Sequence, residues 1–408
     1  MKTMISMLEA QDIILAHTAV GEVNVLPLQS TLGAVLAAPV RAHVDVPSFD
    51  NSAMDGFALD HHVTQEASND NPVVLPIVGY QPAGVVHFGS LKPGCALRVS
   101  TGAMVPLDAT AVVPIEDVEE LGKDLILRKP VKDAAHIRRR GEETRSGELV
   151  LDAGVSVSAA VGGYLASIGV TELPVYRRPR IGIVATGTEL MPLGARLGPG
   201  QIYDSNSIAL SAAMHVDGVS ARVYPPVDDD FELQKKAFSK MISENDVVVA
   251  TGGVSVGNHD YVKEIMMQLE IEPLFWKVRQ KPGKPLYVGC RPGLMFFGLP
   301  GNPASSLINY YEYVRPALRK MMGHIQCRLP SINAVCKTDV WVESERTQFF
   351  RSRLDCLNGE WQVAPLDMQG SHCMKSFAQC NSLLVIPEAI SIIRAGSLAQ
   401  VHVLPHGW

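Results

Sequence analysis

Val247-Val248-Val249-Ala250 runs directly into Thr251-Gly252-Gly253-Val254-Ser255-Val256-Gly257-Asn258-His259-Asp260-Tyr261. The opening residues are apolar and mostly β-branched, the texture of a buried strand. Residues 251–261 read as a glycine-rich ligand loop, because glycine lets the backbone approach a ligand closely and adopt positive φ. A helix starting near Asp260 would aim free N–H groups at an anion, so a phosphate or oxyanion site is the first expectation. For this loop taken alone, a plain strand-to-helix turn is the alternative. Gly252 and Gly257 have P-loop spacing, but Asn258-His259 stands where that motif needs Lys followed by Ser or Thr. This argues against a Walker-type nucleotidase.

The unit recurs. Arg180-Ile181-Gly182-Ile183-Val184-Ala185 breaks into Thr186-Gly187-Thr188-Glu189, and Leu294-Met295-Phe296-Phe297 breaks into Gly298-Leu299-Pro300-Gly301-Asn302-Pro303. In the latter, Asn302 can cap a helix and Pro303 fits its first turn. Residues 206–216 and 231–242 read as amphipathic helices and 219–223 as a strand, giving the alternation of a mostly parallel sheet. Such sheets bind ligands at the carboxyl ends of their strands.

Lys277, Lys281 and Lys284 fall close together, and Pro282 and Pro285 restrict the lysines before them. They form either a stiff cationic loop or a solvated charged hairpin. Ammonium groups suit phosphate and other compact oxyanions because they neutralise charge without demanding one bidentate geometry. Opposite them stand carboxylates at loop tips: Asp55, Glu189, Asp229 and Asp260. Acids beside a dianion make sense if they hold a metal, bond a neutral ring or orient water. Hard oxygen donors favour Mg2+, for which Glu189 and Asp260 are the candidates. Asp228, Asp229 and Asp230 also read as a helix N-terminus. Arg138-Arg139-Arg140 before Glu142-Glu143 reads as an interdomain ion-pair cluster or an anion site, and Cys373 as a small buried hydrophobe.

Taken in order, Ser52-Ala53-Met54-Asp55-Gly56, Arg138-Arg139-Arg140-Gly141-Glu142, Thr186-Gly187-Thr188-Glu189-Leu190, residues 251–261, Lys281-Pro282-Gly283-Lys284-Pro285 and Leu299-Pro300-Gly301-Asn302-Pro303 closely resemble MoeA. This is the molybdopterin molybdenumtransferase family, shared with the gephyrin E domain. MogA-type proteins share only the central sheet and leave the outer motifs unexplained. The resemblance implies a reaction in which molybdate is inserted at the dithiolene of adenylylated molybdopterin, with release of AMP. The dithiolene supplies the soft ligands, so no cysteine is required. By the same resemblance, Asp55, Thr101, Glu189, Asp260, Lys277 and Lys281 are catalytic. Thr186, Gly187, Asp229, Gly252, Gly253, Ser255, Gly257, Lys284, Pro300, Gly301, Asn302, Arg351 and Ser371 bind substrate or anion. The family also implies a homodimer whose clefts draw on both subunits. A MogA/MoaB-type adenylyltransferase and molybdoenzyme maturation proteins are the partners it suggests. The rival readings are a molybdopterin adenylyltransferase or related nucleotide hydrolase, and a gephyrin-like scaffold.

Length and composition fit several domains, and with the strand-helix alternation the expectation is a multidomain α/β protein. The chain has 408 residues, 47% hydrophobic and 19% charged, enough for several cores. A net charge of −6 gives no global basic field for nucleic acid. Seven cysteines without a C-x-x-C pair argue against a disulfide framework or structural zinc. No apolar run reaches the length of about 20 residues needed to span a membrane, and the expected location is cytoplasmic. Ser6 and Glu9 form a capping box for a helix to about His17, and a second helix is expected over 28–37. A β-rich module comes next, then a helix over 157–168. Strand-like runs with turns at Asn358-Gly359 and Asn381-Ser382 close the chain. Together with the resemblance, which implies that the β-rich module is an insertion and the centre MogA-like, the expected domains are 1–47 plus 146–178, discontinuous; 48–145, inserted and β-rich; 179–326, a MogA-like three-layer α/β domain; and 327–408, β-barrel-like.

Overall fold

The computed structural model describes residues 2–253, 261–342 and 345–405. Its centre is a mixed seven-stranded sheet in the order Lys2–Ile5, Glu272–Val278, Tyr287–Arg291, Leu294–Leu299, Val247–Thr251, Ile181–Ala185 and Ala221–Val223. Val247–Thr251 lies parallel to both Leu294–Leu299 and Ile181–Ala185. All residues of these three strands are buried, as expected where helices cover both faces.

The alternation of side chains sorts these residues between two cores. Val247, Val249, Ile181, Ile183 and Phe297 face one layer, packed with Leu210 and Met214 of helix Ser205–Val216 and with Ile308, Val314 and Leu318. Val248, Ala250, Val184 and Phe296 face the other, against Phe238 and Met241 of helix Phe231–Glu244 and Ile265 of helix Val262–Gln268. The central region is therefore a three-layer α/β sandwich.

The first strand departs from expectation. Lys2–Ile5 pairs in parallel with Glu272–Val278, and helix Met7–His17 places Met7, Ala10 and Ile14 in the central core. The start of the chain thus packs with the α/β body, whereas it was expected to open the N-terminal domain. Ser6 does cap the helix, accepting from Glu9 N at 3.2 Å, while the Glu9 carboxylate pairs with Lys2 at 2.7 Å.

A second body combines Val23–Pro27 with Glu172–Tyr176, Val40–Arg41 with Leu149–Leu151, and helix Ala159–Ser167. The helix expected over 28–37 is not formed. Only a 3-10 turn, Leu28–Ser30, appears; Gly33 takes φ +76°, and Val35 and Leu36 bridge to Ser156 and Val175. Burial of Val35 and Leu36 against these strands overrides a weak local preference.

Between the two halves of that body lies a six-stranded sheet running from Gly56–Leu59 to Asp124–Leu127, with its own apolar clusters. Its two connections are tied together by Arg139 to Asp50 and Arg140 to Asp45. The arginine cluster is therefore an ion-pair clasp where the module joins the rest of the chain. Hydrogen bonds from Ser146 N and Arg140 lower the pKa of Asp45.

The C-terminal strands close into a barrel: Thr347–Leu357, Glu360–Pro365, Ser331–Cys336, Leu398–Val403 and Ser382–Ile386 pair in turn, and the last pairs back with the first. Asn358-Gly359 is a hairpin turn with positive φ at both residues, 53° and 83°. No turn occurs at Asn381-Ser382. Buried Asn381 instead bonds both Leu354 N and Leu354 O at 2.8 Å, clamping a neighbouring strand. Among the described residues, no helix is long and apolar enough to cross a membrane.

Candidate functional site

The three parallel central strands end together, so their glycine loops meet at one edge of the sheet. There they border a cleft of about 940 Å³ lined by Thr186, Gly187, Glu189, Asp229, Gly252, Gly253, Lys281, Lys284, Pro300, Gly301, Asn302 and Ser371. Twelve residues expected from the sequence are thereby brought into one concavity. Ser255, Gly257 and Asp260 lie outside the described residues.

Close packing fixes the loops. Gly252 has φ +94°, and a Cβ there would collide with the Thr186 carbonyl. Only glycine allows these two loops to touch. Asn206 stitches the other pair: its Nδ2 donates to Thr251 Oγ1 at 2.8 Å and to the Gly301 carbonyl at 2.7 Å. Thr251 Oγ1 in turn donates to the Pro300 carbonyl at 3.0 Å. Asn206 was not among the expected site residues, although a polar residue in the first turn of a helix facing glycine loops is a readable signal.

The lysine loop is held from below by a buried polar network. Gln280 Nε2 donates to the carbonyls of Pro282 and Gly283 and to Asn309 Oδ1, at 3.1, 3.2 and 2.7 Å. Asn309 Nδ2 donates to the carbonyls of Gly283 and Pro285, and Tyr313 donates to Gln280 Oε1. With its backbone bonds committed to fully buried partners, the loop presents Lys281 and Lys284 from a fixed frame. Lys281 also belongs to a two-residue strand paired with Thr347 and Gln348 of the barrel. Lys277 faces elsewhere. It does not line the cleft; its ammonium lies over the Trp276 ring, 3.6 Å from the centroid, on a residue with φ +67°.

The barrel contributes the opposite rim. Ser371 Oγ accepts from Asn302 Nδ2 at 3.1 Å, and the Ser371 carbonyl accepts from Ala304 N. Arg351 is fully buried behind this rim rather than lining it. Its Nη2 donates to the carbonyls of Met368 and Gly370 at 2.9 and 3.0 Å, and its Nε to Ser376 Oγ at 3.2 Å. Burial lowers its pKa. The guanidinium sets the backbone that carries Ser371. Arg346 and His372 also line the cleft and were not expected from the sequence.

The acids divide. Asp230 is the cap of helix Phe231–Glu244, accepting from Leu233 N at 2.9 Å, whereas Asp229 borders the cleft. Glu189 folds back over Gly187, its Oε2 2.6 Å from where a Cβ would sit. Asp55 and Thr101 are together on the inserted module, where Asp55 Oδ1 accepts from Thr101 N at 2.8 Å. Asp55 lines a separate hollow of about 550 Å³ with Tyr80, Arg98 and Ser100. Neither residue borders the α/β cleft of its own chain.

Comparison with known proteins agrees with this architecture. Residues 5–169 match the MoeA N-terminal region (domain I and II), 182–320 the "Probable molybdopterin binding domain", and 333–404 the MoeA C-terminal region (domain IV). Molybdopterin molybdenumtransferase 2 of Mycobacterium tuberculosis (strain ATCC 25618 / H37Rv) is 36% identical, covering 92% of this chain and 94% of its own. Molybdopterin molybdenumtransferase of Staphylococcus epidermidis (strain ATCC 12228 / FDA PCI 1200) is 32% identical, covering 98% and 96%. The crystal structure of the molybdopterin biosynthesis MoeA protein from Pyrococcus horikoshii OT3 superposes with a TM-score of 0.81 at 27% identity, over 98% of this chain and 100% of that one. With all its regions matched in order and full-length relatives above 30% identity, the chain belongs to the MoeA family.

Proposed function

We propose that this chain acts as a molybdopterin molybdenumtransferase, taking adenylylated molybdopterin and molybdate and releasing AMP and the metal-loaded pterin. The observation that carries this reading is the meeting of three glycine loops with Lys281 and Lys284 in one cleft. Backbone N–H groups and close-packed glycines suit a pyrophosphate, and the two ammonium groups suit a compact oxyanion. Thr186-Gly187, Gly252-Gly253 and Pro300-Gly301-Asn302 hold the nucleotide-bearing phosphate; Lys281 and Lys284 hold molybdate; Ser371 and Asn302 close the rim. Most of the catalysis is positioning and electrostatics, because the metal's new bonds are to the substrate's own sulfurs.

Mg2+ suits carboxylate oxygen donors, with Glu189 at the rim and Asp260, outside the described residues, as candidates to hold it; when bound, it would offset the charge of the phosphates. We further propose a homodimer in which Asp55 and Thr101 of one subunit serve the cleft of the other. Their separation from the cleft of their own chain supports this.

The test uses the purified full chain with adenylylated molybdopterin, Mg2+ and increasing molybdate. Molybdate-dependent release of AMP and formation of loaded pterin is the expected result. Consumption of ATP with free molybdopterin, without molybdate-dependent AMP release, would instead assign the chain to adenylyl transfer.

A further inference from the structure

Away from the cleft, the inserted module carries a cluster to which the proposed reaction gives no task. Strand Gly56–Leu59 ends in Asp60, which caps the 3-10 turn His61–Thr64 by accepting from His62 N. The turn places two imidazoles side by side, with ring centroids 3.9 Å apart and planes at 39°. Both Nδ1 atoms face the same carboxylate oxygen: Asp60 Oδ1 is 2.9 Å from His62 Nδ1 and 4.0 Å from His61 Nδ1. A second carboxylate arrives from a different segment, with Asp133 Oδ1 3.5 Å from His61 Nδ1.

That second segment is fixed in place. Val131 N donates to Thr64 Oγ1 at 2.9 Å, Gln65 Nε2 donates to the Val131 carbonyl, and Ala134 N donates to the Thr110 carbonyl. Thr110 Oγ1 also contacts His61 Nδ1 at 2.7 Å and donates to Asp60 Oδ1 at 3.1 Å, so the His61 ring is oriented from beneath. His61 is largely buried, with 14% of its side chain exposed, whereas the side chains of His62 and Asp133 are 73% and 70% exposed. The cluster therefore has a fixed base and an open mouth.

The donor types decide what it would hold: two carboxylates and two imidazoles in their neutral, metal-binding form would together balance the charge of a divalent cation. The donor atoms of Asp60, His61 and His62 all lie within 4.8 Å of one another, close enough to share one ion. Imidazole and carboxylate together select a borderline transition ion over Mg2+.

We propose that Asp60, His61 and His62 form a binding site for a divalent transition metal ion of the zinc, nickel or copper(II) type, with Asp133, 3.5 Å from His61 Nδ1, as the further carboxylate that clips the 61–64 turn to the 131–135 segment. The open mouth leaves room for water to complete the coordination shell.

The test uses tag-free full-length protein in excess Mg2+, which occupies carboxylate-only sites. Calorimetric titration with Zn2+ should give one equivalent, bound with a rise in Tm. Co2+ in the same site should show visible d–d bands that Zn2+ bleaches, and Cu2+ should show coupling to two nitrogens. His62→Ala, at an exposed position, should weaken Zn2+ at least about tenfold while retaining the far-UV spectrum. Asp133→Asn should weaken it as well. The inference is overturned if the wild type binds no stoichiometric Zn2+. It also fails if a folded His61→Ala/His62→Ala protein binds Zn2+ as tightly as wild type, or if Asp133→Asn leaves the affinity unchanged.

Discussion

Single residues in the rim divide into those that meet substrate and those that hold the residues that do. Lys281 and Lys284 belong to the first group. If they grip molybdate while the glycine loops grip the phosphate, Lys281→Ala or Lys284→Ala should raise the molybdate requirement more than it weakens binding of the pterin nucleotide. Separate titrations of the two ligands check this, and equal losses for both would mean a single merged anion surface. Arg351 belongs to the second group. Lysine cannot reproduce its fork to the Met368 and Gly370 carbonyls, so Arg351→Lys should lower stability by about 1–3 kcal/mol. Ser371→Ala should leave stability nearly unchanged and reduce turnover; thermal denaturation beside steady-state kinetics separates the two. The sequence showed the lysines because prolines flank them. It did not show the different tasks of Arg351 and Ser371, because burial of a guanidinium depends on residues 368–370 folding over it.

Elements were legible where their pattern is two-sided or strongly periodic. Ile181–Ala185, Val247–Thr251 and Leu294–Leu299 could be read as strands because each is buried on both faces, and helix Phe231–Glu244 because its apolar stripe is regular. Lys2–Ile5 was not legible, since its strand character comes from pairing with a segment distant in sequence. The joints between elements were equally hidden. Glu312, within the buried helical segment after Pro303–Asn309, accepts from Gln11 of the first helix at 3.0 Å and from His402 Nδ1 of the barrel at 2.8 Å. Burial opposes protonation of His402, but the Glu312 charge and hydrogen bond outweigh it and raise the pKa above 6.5. Gln400 and Phe349 flank the ring without adding charge. A raised folded value means that the stabilisation is fully present below the unfolded value and is lost as pH rises through the folded one. Tm should therefore fall over that interval in the wild type, and His402→Gln should be less stable at low pH and flatten this part of the profile. An unchanged profile in the variant would remove this joint from the pH dependence.

At the scale of the whole molecule, the site residues fall into two groups: the cleft with Lys281 on the α/β body, and Asp55 with Thr101 on the inserted module. Sequence order puts Asp55 and Thr101 in the inserted module and Lys281 in the α/β body, but could not say which chain supplies each to a working cleft, because that depends on an assembly. In the proposed dimer, each cleft takes Asp55 from one subunit and Lys281 from the other. Mixing inactive Asp55→Ala protein with inactive Lys281→Ala protein should then create heterodimers in which one cleft carries both lesions and the other carries neither. With random exchange, about half of the dimers are mixed and each has one intact cleft, so activity should recover to about a quarter of wild type if the clefts act independently. Subunit exchange is followed separately, by mass measurement of differently labelled chains. Exchange without recovery of activity would place Asp55 and Lys281 in the same subunit's cleft, which would require the inserted module to swing about the Arg139–Asp50 and Arg140–Asp45 clasp.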